Sequence, residues 1–241
     1  MNRFGNSVCI AGTDTDIGKT VAAAAVLCAL RGHGIDAVPM KPVQTGAASD
    51  GNRLVSPDLR FCTAMAGLNP DPREEALMAP YLFEPACSPH LAAAGCGREI
   101  SFAHIVESLA ALLERRQGVV VEGAGGLLAP LSEEKTQLDL IARLDLPVIL
   151  VARPGLGTIN HTLLSLHELD RAGLRVLGVV FCETQPTQWG EIEKENRRII
   201  ERMGETAILG RIPFLAGLTD GRVAPQEFRQ SATEHLHLPL D

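Results

Sequence analysis

Lys19 and Thr20 close a nine-residue stretch, GTDTDIGKT from Gly12 to Thr20, that lies between an apolar run and an alanine-rich one. Strand, glycine-bounded loop and helix, in that order, is the context in which a lysine followed by a hydroxyl residue binds phosphate. Backbone N–H groups of such a loop converge on an anion, and the positive end of the next helix adds to the field. Lys19 is placed to reach β- and γ-phosphates, and the Thr20 hydroxyl to ligate Mg²⁺. Five residues rather than four separate Gly12 from Gly18, so Thr13 takes the usual first-glycine position. The plainer alternative is a glycine-rich turn that only starts a helix. The chemistry expected is the handling of a nucleoside triphosphate.

Other residue types point to the same edge. In VVVEGAGGLLAPL, Val119–Leu131, the apolar run ends on Glu122 and three glycines follow at once, Gly123, Gly125 and Gly126. A carboxylate that closes a buried strand beside a phosphate loop is where a triphosphatase holds Mg²⁺. MKPVQTG, Met40–Gly46, sets Lys41 at a strand end with the Thr45 hydroxyl nearby; a solvated lysine is the competing reading. Asp58 is a weaker carboxylate candidate, since an acid at a helix start also serves the dipole. The N–H groups of Gly157, Thr158 and Ile159 begin a helix and suit a carboxylate, with Asn160 as a further contact. His161 reads as structural. His235 and His237 lack the supporting ligands of a metal site, and Trp189 is expected to lie on the surface of the following helix.

These groups need elements to hold them. Strands are expected at Ser7–Ala11, Asp36–Met40, Val119–Val121, Val148–Ala152, Val176–Phe181 and Ile208–Ile212. Helices are expected at Lys19–Arg31, Pro57–Ala66, Phe102–Arg116 behind the N-cap Ser101, Thr158–Ala172 and Glu191–Met203. Continuous apolar strands such as VILVA suit a parallel sheet covered on both faces. The fold class is therefore α/β: a doubly wound, mostly parallel sheet with helices on both faces, of P-loop NTPase type, with ligands at the strands' carboxyl ends. Residues 68–98, with five prolines, read as a long loop with short helical pieces, and the tail from Gly217 as weakly patterned. One domain over residues 1–241 is expected.

Composition excludes several classes. Net charge is −7, and no lysine/arginine run exceeds two residues, which argues against nucleic acid and acidic membrane as partners. No apolar stretch approaches the ~18 residues of a membrane span, and the start lacks the pattern of a secretory signal. Six scattered cysteines without a CxxC pair suit reduced thiols and a cytoplasmic setting.

As a set, GTDTDIGKT, MKPVQTG, SPD, EPACSPH, VEGAGG, PVILVARPGLGTINH and GRIPFL resemble the dethiobiotin synthase family over nearly the whole chain. That resemblance implies a homodimer joining 7,8-diaminopelargonate, CO₂ and ATP into dethiobiotin, ADP and phosphate. Carried over by position, it implies catalytic roles for Lys19 and Lys41 on the γ-phosphate and carbamate, and for Thr15 and Thr45 around the carbamate. Mg²⁺ would fall to Thr20, Asp58 and Glu122. The nucleotide would meet Asp16, Ile17, Gly18, Lys19, Thr20, Val21, Gly123, Ala124, Gly125, Cys182, Glu183, Pro213 and Phe214. Gly157, Thr158, Ile159 and Asn160 match the segment that receives the substrate's tail carboxylate across the dimer interface.

Two departures stand out. Relatives commonly carry Asn-Asp where this chain has Cys182-Glu183, and a thiol cannot make the paired donor–acceptor contact of an amide, so CTP or GTP could also serve. Some relatives also use a tyrosine on the substrate from the helix at 191–203, where Asn196 lies nearest. A ParA- or MinD-type ATPase switch remains an alternative, although Thr13 replaces the extra lysine of such switches. A nucleotide-binding paralogue without turnover is the other.

Overall fold

Strand residues alternate between two apolar layers, and that alternation builds the molecule. The computed structural model describes residues 6–51, 53–218 and 220–239. In chain order the elements are β1 Val8–Gly12, α1 Lys19–Gly32, β2 Ala37–Met40, β3 Val43–Thr45, β4 Ala48–Asp50, β5 Arg53–Val55 and α2 Pro57–Ala66. Then come α3 Pro72–Met78, β6 Tyr81–Phe83, α4 Pro89–Gly95, α5 Phe102–Leu113, β7 Gly118–Glu122 and α6 Gln137–Leu144. The remainder is β8 Val148–Ala152, α7 Thr158–Arg171, β9 Val176–Cys182, α8 Glu191–Met203, β10 Ile208–Ile212 and α9 Pro225–His235.

Six strands form one parallel sheet in the order β10-β9-β8-β1-β7-β2. Val8 and Ile10 face one layer with α1 and α9; Cys9 and Ala11 face the other, with α5, α6, α7 and α8. The strands bury both faces, which is why they read as unbroken apolar runs. The chain leaves β1 first toward β7 and β2 and later returns to β8, so β1 sits at the switch point where a crevice opens at the carboxyl ends. In α1, Ala22 to Ala25 are fully buried. Side chains that small let the helix axis approach the sheet closely between α2 and α9.

Several elements differ from the sequence-based expectation. The stretch 68–98 holds α3, β6 and α4, and β6 pairs in parallel with β3. Asp71 caps α3, accepting from the N–H groups of Arg73 and Glu74, with Pro72 at the first helical position. Helix α6 starts on a capping box of Thr136 and Asp139. Helix α5 ends at Leu113, three residues short of expectation, because Arg116 leaves to bind the buried Glu74 at 2.7 and 2.8 Å and Asp36 at 2.9 Å. The tail is ordered as α9. Its Phe228 and Ala232, four residues apart, join the α1 layer; Phe228 meets Phe61 edge to face at 5.8 Å, and His237 donates to the Leu209 carbonyl at 2.8 Å. Among the described residues no helix is long and apolar enough to cross a membrane.

Phe228 is 1% exposed, so truncation leaves a cavity under α1 and α2. Phe228→Ala should lower stability by about 3 kcal/mol, read as a reduced midpoint in urea. A change near zero would show α9 to be peripheral.

Candidate active site

Four separate elements deliver charge to the crevice. Lys19 and Thr20 open α1, Lys41 follows β2, Asp58 lies in the first turn of α2, and Glu122 ends β7. The Lys41 Nζ lies 2.6 Å from Glu122 Oε1, 2.8 Å from Asp58 Oδ2 and 3.3 Å from the Gly123 carbonyl. Thr20 Oγ1 donates to the same Glu122 oxygen at 2.8 Å. Lys41 and Glu122 are 5% and 4% exposed, so water does little to screen them. Burial works against the Lys41 charge, but Glu122 and then Asp58 outweigh it and hold the ammonium above its usual range. Burial lifts the Glu122 carboxyl above the ordinary carboxylate value. The Lys41 ammonium beside it works against that rise, so each charge favours the other.

Local structure fixes those placements. Ser56 caps α2 by accepting from the Leu59 N–H at 3.1 Å, and its hydroxyl also donates to the buried Gln44, which ties the start of α2 to β3. Gly18 begins α1 with φ of 90°, and a side chain there would collide with the Cys182 sulfur at 2.3 Å. Only glycine satisfies both demands. Lys19 folds back along the loop and donates to the Asp14 carbonyl at 2.6 Å.

These groups line a cavity of about 580 Å³. Its walls include Thr15, Asp16, Gly18, Lys19, Thr20, Val21, Lys41, Thr45, Asp58, Glu122, Ala124 and Gly125 from the expected set. Cys182, Glu183, Pro213 and Phe214 form the far wall. Glu183 is buried and organises that wall: Arg211 Nε donates to Oε1 at 2.5 Å, and the Phe214 N–H donates to Oε2 at 3.2 Å. The Arg211 guanidinium also stacks over Trp189, 4.7 Å from the ring centroid. Burial pushes the Cys182 thiol up to about 12, so it faces the cavity neutral.

Some expected residues lie elsewhere. Ile17 is 4% exposed and sits in the α1 layer, because the loop must bury an apolar side chain to anchor itself. Gly123 is outside the cavity lining and serves through its carbonyl on Lys41. Gly157, Thr158, Ile159 and Asn160 do not line this cavity in their own chain; Thr158 is buried, with its hydroxyl 3.2 Å from that of Thr162. Asn196 is not a surface contact either: it is buried and donates to the Pro154 carbonyl at 2.9 Å, holding the turn before α7. Trp189 meets Phe181 edge to face at 5.8 Å. Arg153 Nη2 donates to His161 Nδ1 at 3.0 Å. Sequence reasoning missed Gln44, Thr184, Leu215 and Leu218 in the lining. It also missed Gln137, whose only sequence signal was the capping box around it.

A family model described as an AAA domain matches residues 6–222. The ATP-dependent dethiobiotin synthetase BioD of Anaeromyxobacter dehalogenans (strain 2CP-C) is 46% identical over 181 residues, covering 73% of this chain and 76% of that protein. The protein of the same name from Bacillus cereus (strain B4264) is 34% identical over 227 residues, 94% of this chain and 89% of its own. Among solved structures, a ParA family ATPase from Chlorobium tepidum TLS covers 95% of this chain and 98% of its own, with a TM-score of 0.59 at 13% identity. The MinD cell division protein of Aquifex aeolicus gives 0.55 at 15% identity over 95% of this chain and 96% of its own. At such identities the two structures share the fold alone.

Burial first, and then the charge of Lys41, bring the Lys19 ammonium down to about 8. A phosphate ligand binds the protonated form, so affinity is full below that value and falls as pH rises through it. Fluorescent ADP titrated from about pH 7 to about pH 9.5 should lose affinity above about pH 8, approaching tenfold per unit. Constant affinity across that range would remove Lys19 from the phosphate contact.

Proposed function

The chain belongs to the ATP-dependent dethiobiotin synthetase family, and from that premise we propose how its own residues carry out the ATP-dependent ring closure of biotin biosynthesis. The observation that carries the reading is the convergence of Lys19, Thr20, Lys41, Asp58 and Glu122 on one cavity. The substrates are 7,8-diaminopelargonate and CO₂, with ATP as co-substrate. One amine of the diamine adds to CO₂ and loses a proton, leaving a carbamate. A carbamate oxygen attacks the γ-phosphorus and ADP departs. The second amine attacks the carbamoyl carbon, phosphate leaves, and the five-membered urea ring closes.

The protein supplies position and charge, without a covalent intermediate. Lys19 holds the terminal phosphates at the loop. Lys41, kept cationic by its two carboxylates, lends its positive charge to the oxygens of carbamate and γ-phosphate, where negative charge gathers during transfer. Thr15 and Thr45 donate to the carbamate region. Thr20 and Glu122, in contact at 2.8 Å, and Asp58, which shares Lys41 with Glu122, form a set of hard oxygen donors. Such a set fits Mg²⁺, which takes one or two carboxylates and fills its shell with water and phosphate oxygens. Mg²⁺ held there would neutralise charge on the bridging phosphates.

The far wall takes the nucleotide base. Neither of its polar residues presents a free amide: the Cys182 thiol is neutral and packed against Gly18, and both Glu183 oxygens are engaged by Arg211 and Phe214. The reading therefore includes weak base selection, with CTP and GTP as substitutes for ATP. The α7 start, outside the lining of its own cavity, would receive the diamine's carboxylate from a second copy. Leu156, 92% exposed beside it, is an apolar group that such a copy would cover.

Purified protein with Mg²⁺-ATP and bicarbonate should release phosphate only when 7,8-diaminopelargonate is present, with dethiobiotin identified by mass. Release indifferent to the diamine would favour an ATPase switch. CTP and GTP should support turnover within about tenfold of ATP, since a wall without a hydrogen-bonding contact to the base discriminates weakly; strict dependence on ATP would refute weak base selection. Lys41→Met should lower diamine-dependent turnover at least about 100-fold, the scale of losing one preorganised charge, while ADP still binds. It also leaves Glu122 buried without its cation, so its thermal midpoint should fall. Glu122→Gln should weaken the Mg²⁺ dependence of turnover; an unchanged metal titration would count against its place in the metal set.

A further inference from the structure

Gly123 and Ala124 share a peptide group that is gripped on both sides. Its carbonyl, on Gly123, accepts from Lys41 Nζ at 3.3 Å. Its N–H, on Ala124, donates to Gln137 Oε1 at 3.2 Å. A trans peptide points its C=O and N–H in opposite directions, so one plane orientation satisfies both contacts and a flipped plane satisfies neither.

We propose that Gln137 is a positioning residue for Lys41: by holding the Ala124 N–H it fixes the orientation of the Gly123–Ala124 peptide, and through the Gly123 carbonyl it sets the aim of the Lys41 ammonium. The ammonium has three protons and three oxygen acceptors, on Glu122, Asp58 and Gly123. The two carboxylates define a line along which the group can still tilt, and the carbonyl removes that freedom. Gln137 is itself immobilised. It is 3% exposed, its own N–H donates to the Ala129 carbonyl at 2.9 Å, and the next residue, Leu138, donates to Leu127 at 2.8 Å. The start of α6 thus closes the loop that begins at Gly123 into a ring. A side chain at position 123 would come within 3.1 Å of Gln137 Nε2, which records how tightly the amide is applied to that peptide.

The inference rests on the reading that Lys41 serves the reaction, and two readouts keep the questions apart. Gln137→Met keeps length and burial but removes the acceptor. It should lower kcat about tenfold or more, as expected when a catalytic charge is misplaced by a fraction of an ångström. ADP affinity should stay within about twofold, since the phosphate loop is untouched. Gln137→Glu retains an acceptor oxygen and should recover kcat to within about threefold of the parent. Independently of turnover, amide hydrogen exchange at Ala124 should be slow in the parent and in Gln137→Glu and fast in Gln137→Met. Unchanged kcat in Gln137→Met overturns the proposal, as does protected Ala124 in that variant. A parallel loss of kcat, ADP affinity and thermal midpoint also overturns it, because that is the signature of general loosening. If Gln137→Met does not fold, Gln137→Asn, too short to reach Ala124, is held to the same criteria. Failure of diamine-dependent turnover in the parent would instead remove the functional reading and leave the Ala124 exchange result standing on its own.

Discussion

One buried cation holds the ligand edge of this sheet together. Lys41 is set among Glu122, Asp58 and the Gly123 carbonyl, and Thr20 leans on the same Glu122 oxygen. These groups come from the loop after β2, the end of β7, the start of α2 and the start of α1. Burying either a lysine or a glutamate alone would be costly, so each requires the other in place. The mutual neutralisation links four elements distant in sequence at the point where phosphate chemistry would occur. It also leaves Lys19, next to Thr20 in the chain, with an ammonium that burial and the Lys41 charge push down, and an incoming anion would restore it.

Behind that cluster lies a scaffold with little freedom. The strands are apolar on both sides, so the sheet is rigid and its carboxyl edge is a fixed platform. Alanines in α1 bring the phosphate-loop helix close to the sheet, and α9 closes the same layer from the far end of the chain. The opposite layer is built from the larger side chains of α5 to α8. The loops above the platform are then pinned individually: Ser56 and Gln44 hold α2, Gln137 holds the glycine loop, and Asn196 holds the turn before α7. Each is a buried amide or hydroxyl satisfied by its partner, and each turns a flexible connection into part of the site.

The far wall follows a different logic. Glu183 engages Arg211 with one oxygen and the Phe214 amide with the other, and so holds the wall in shape. Cys182 gives up a polar contact but fits against Gly18, where a side chain on the glycine would have no room. Packing at the phosphate loop and the shape of the far wall are therefore coupled at one residue.

What the sequence by itself determined was a set of residues that meet at one cavity and the architecture that gathers them. Glycine spacing, a lysine-threonine pair after an apolar strand and a carboxylate ending another strand are local patterns, and buried parallel strands are legible because both faces are apolar. The capping signals at Asp71-Pro72 and Thr136-Asp139 were equally local, and α3 and α6 were readable from them; the proline-rich stretch 68–98 and the glycine-rich stretch after Glu122 obscured both. Tertiary structure alone decided the rest. Lys41 became a buried group instead of a solvated one only because Asp58 and Glu122 meet it, and sequence distance hides that meeting. Asn196 turned inward because the turn at Pro154 needed a donor. Gln137 looked like an ordinary first-turn residue until folding set its amide against one peptide of a loop that begins fourteen residues earlier. Pairings of this kind depend on which polar groups are left without water when the layers close, and no single segment carries that information.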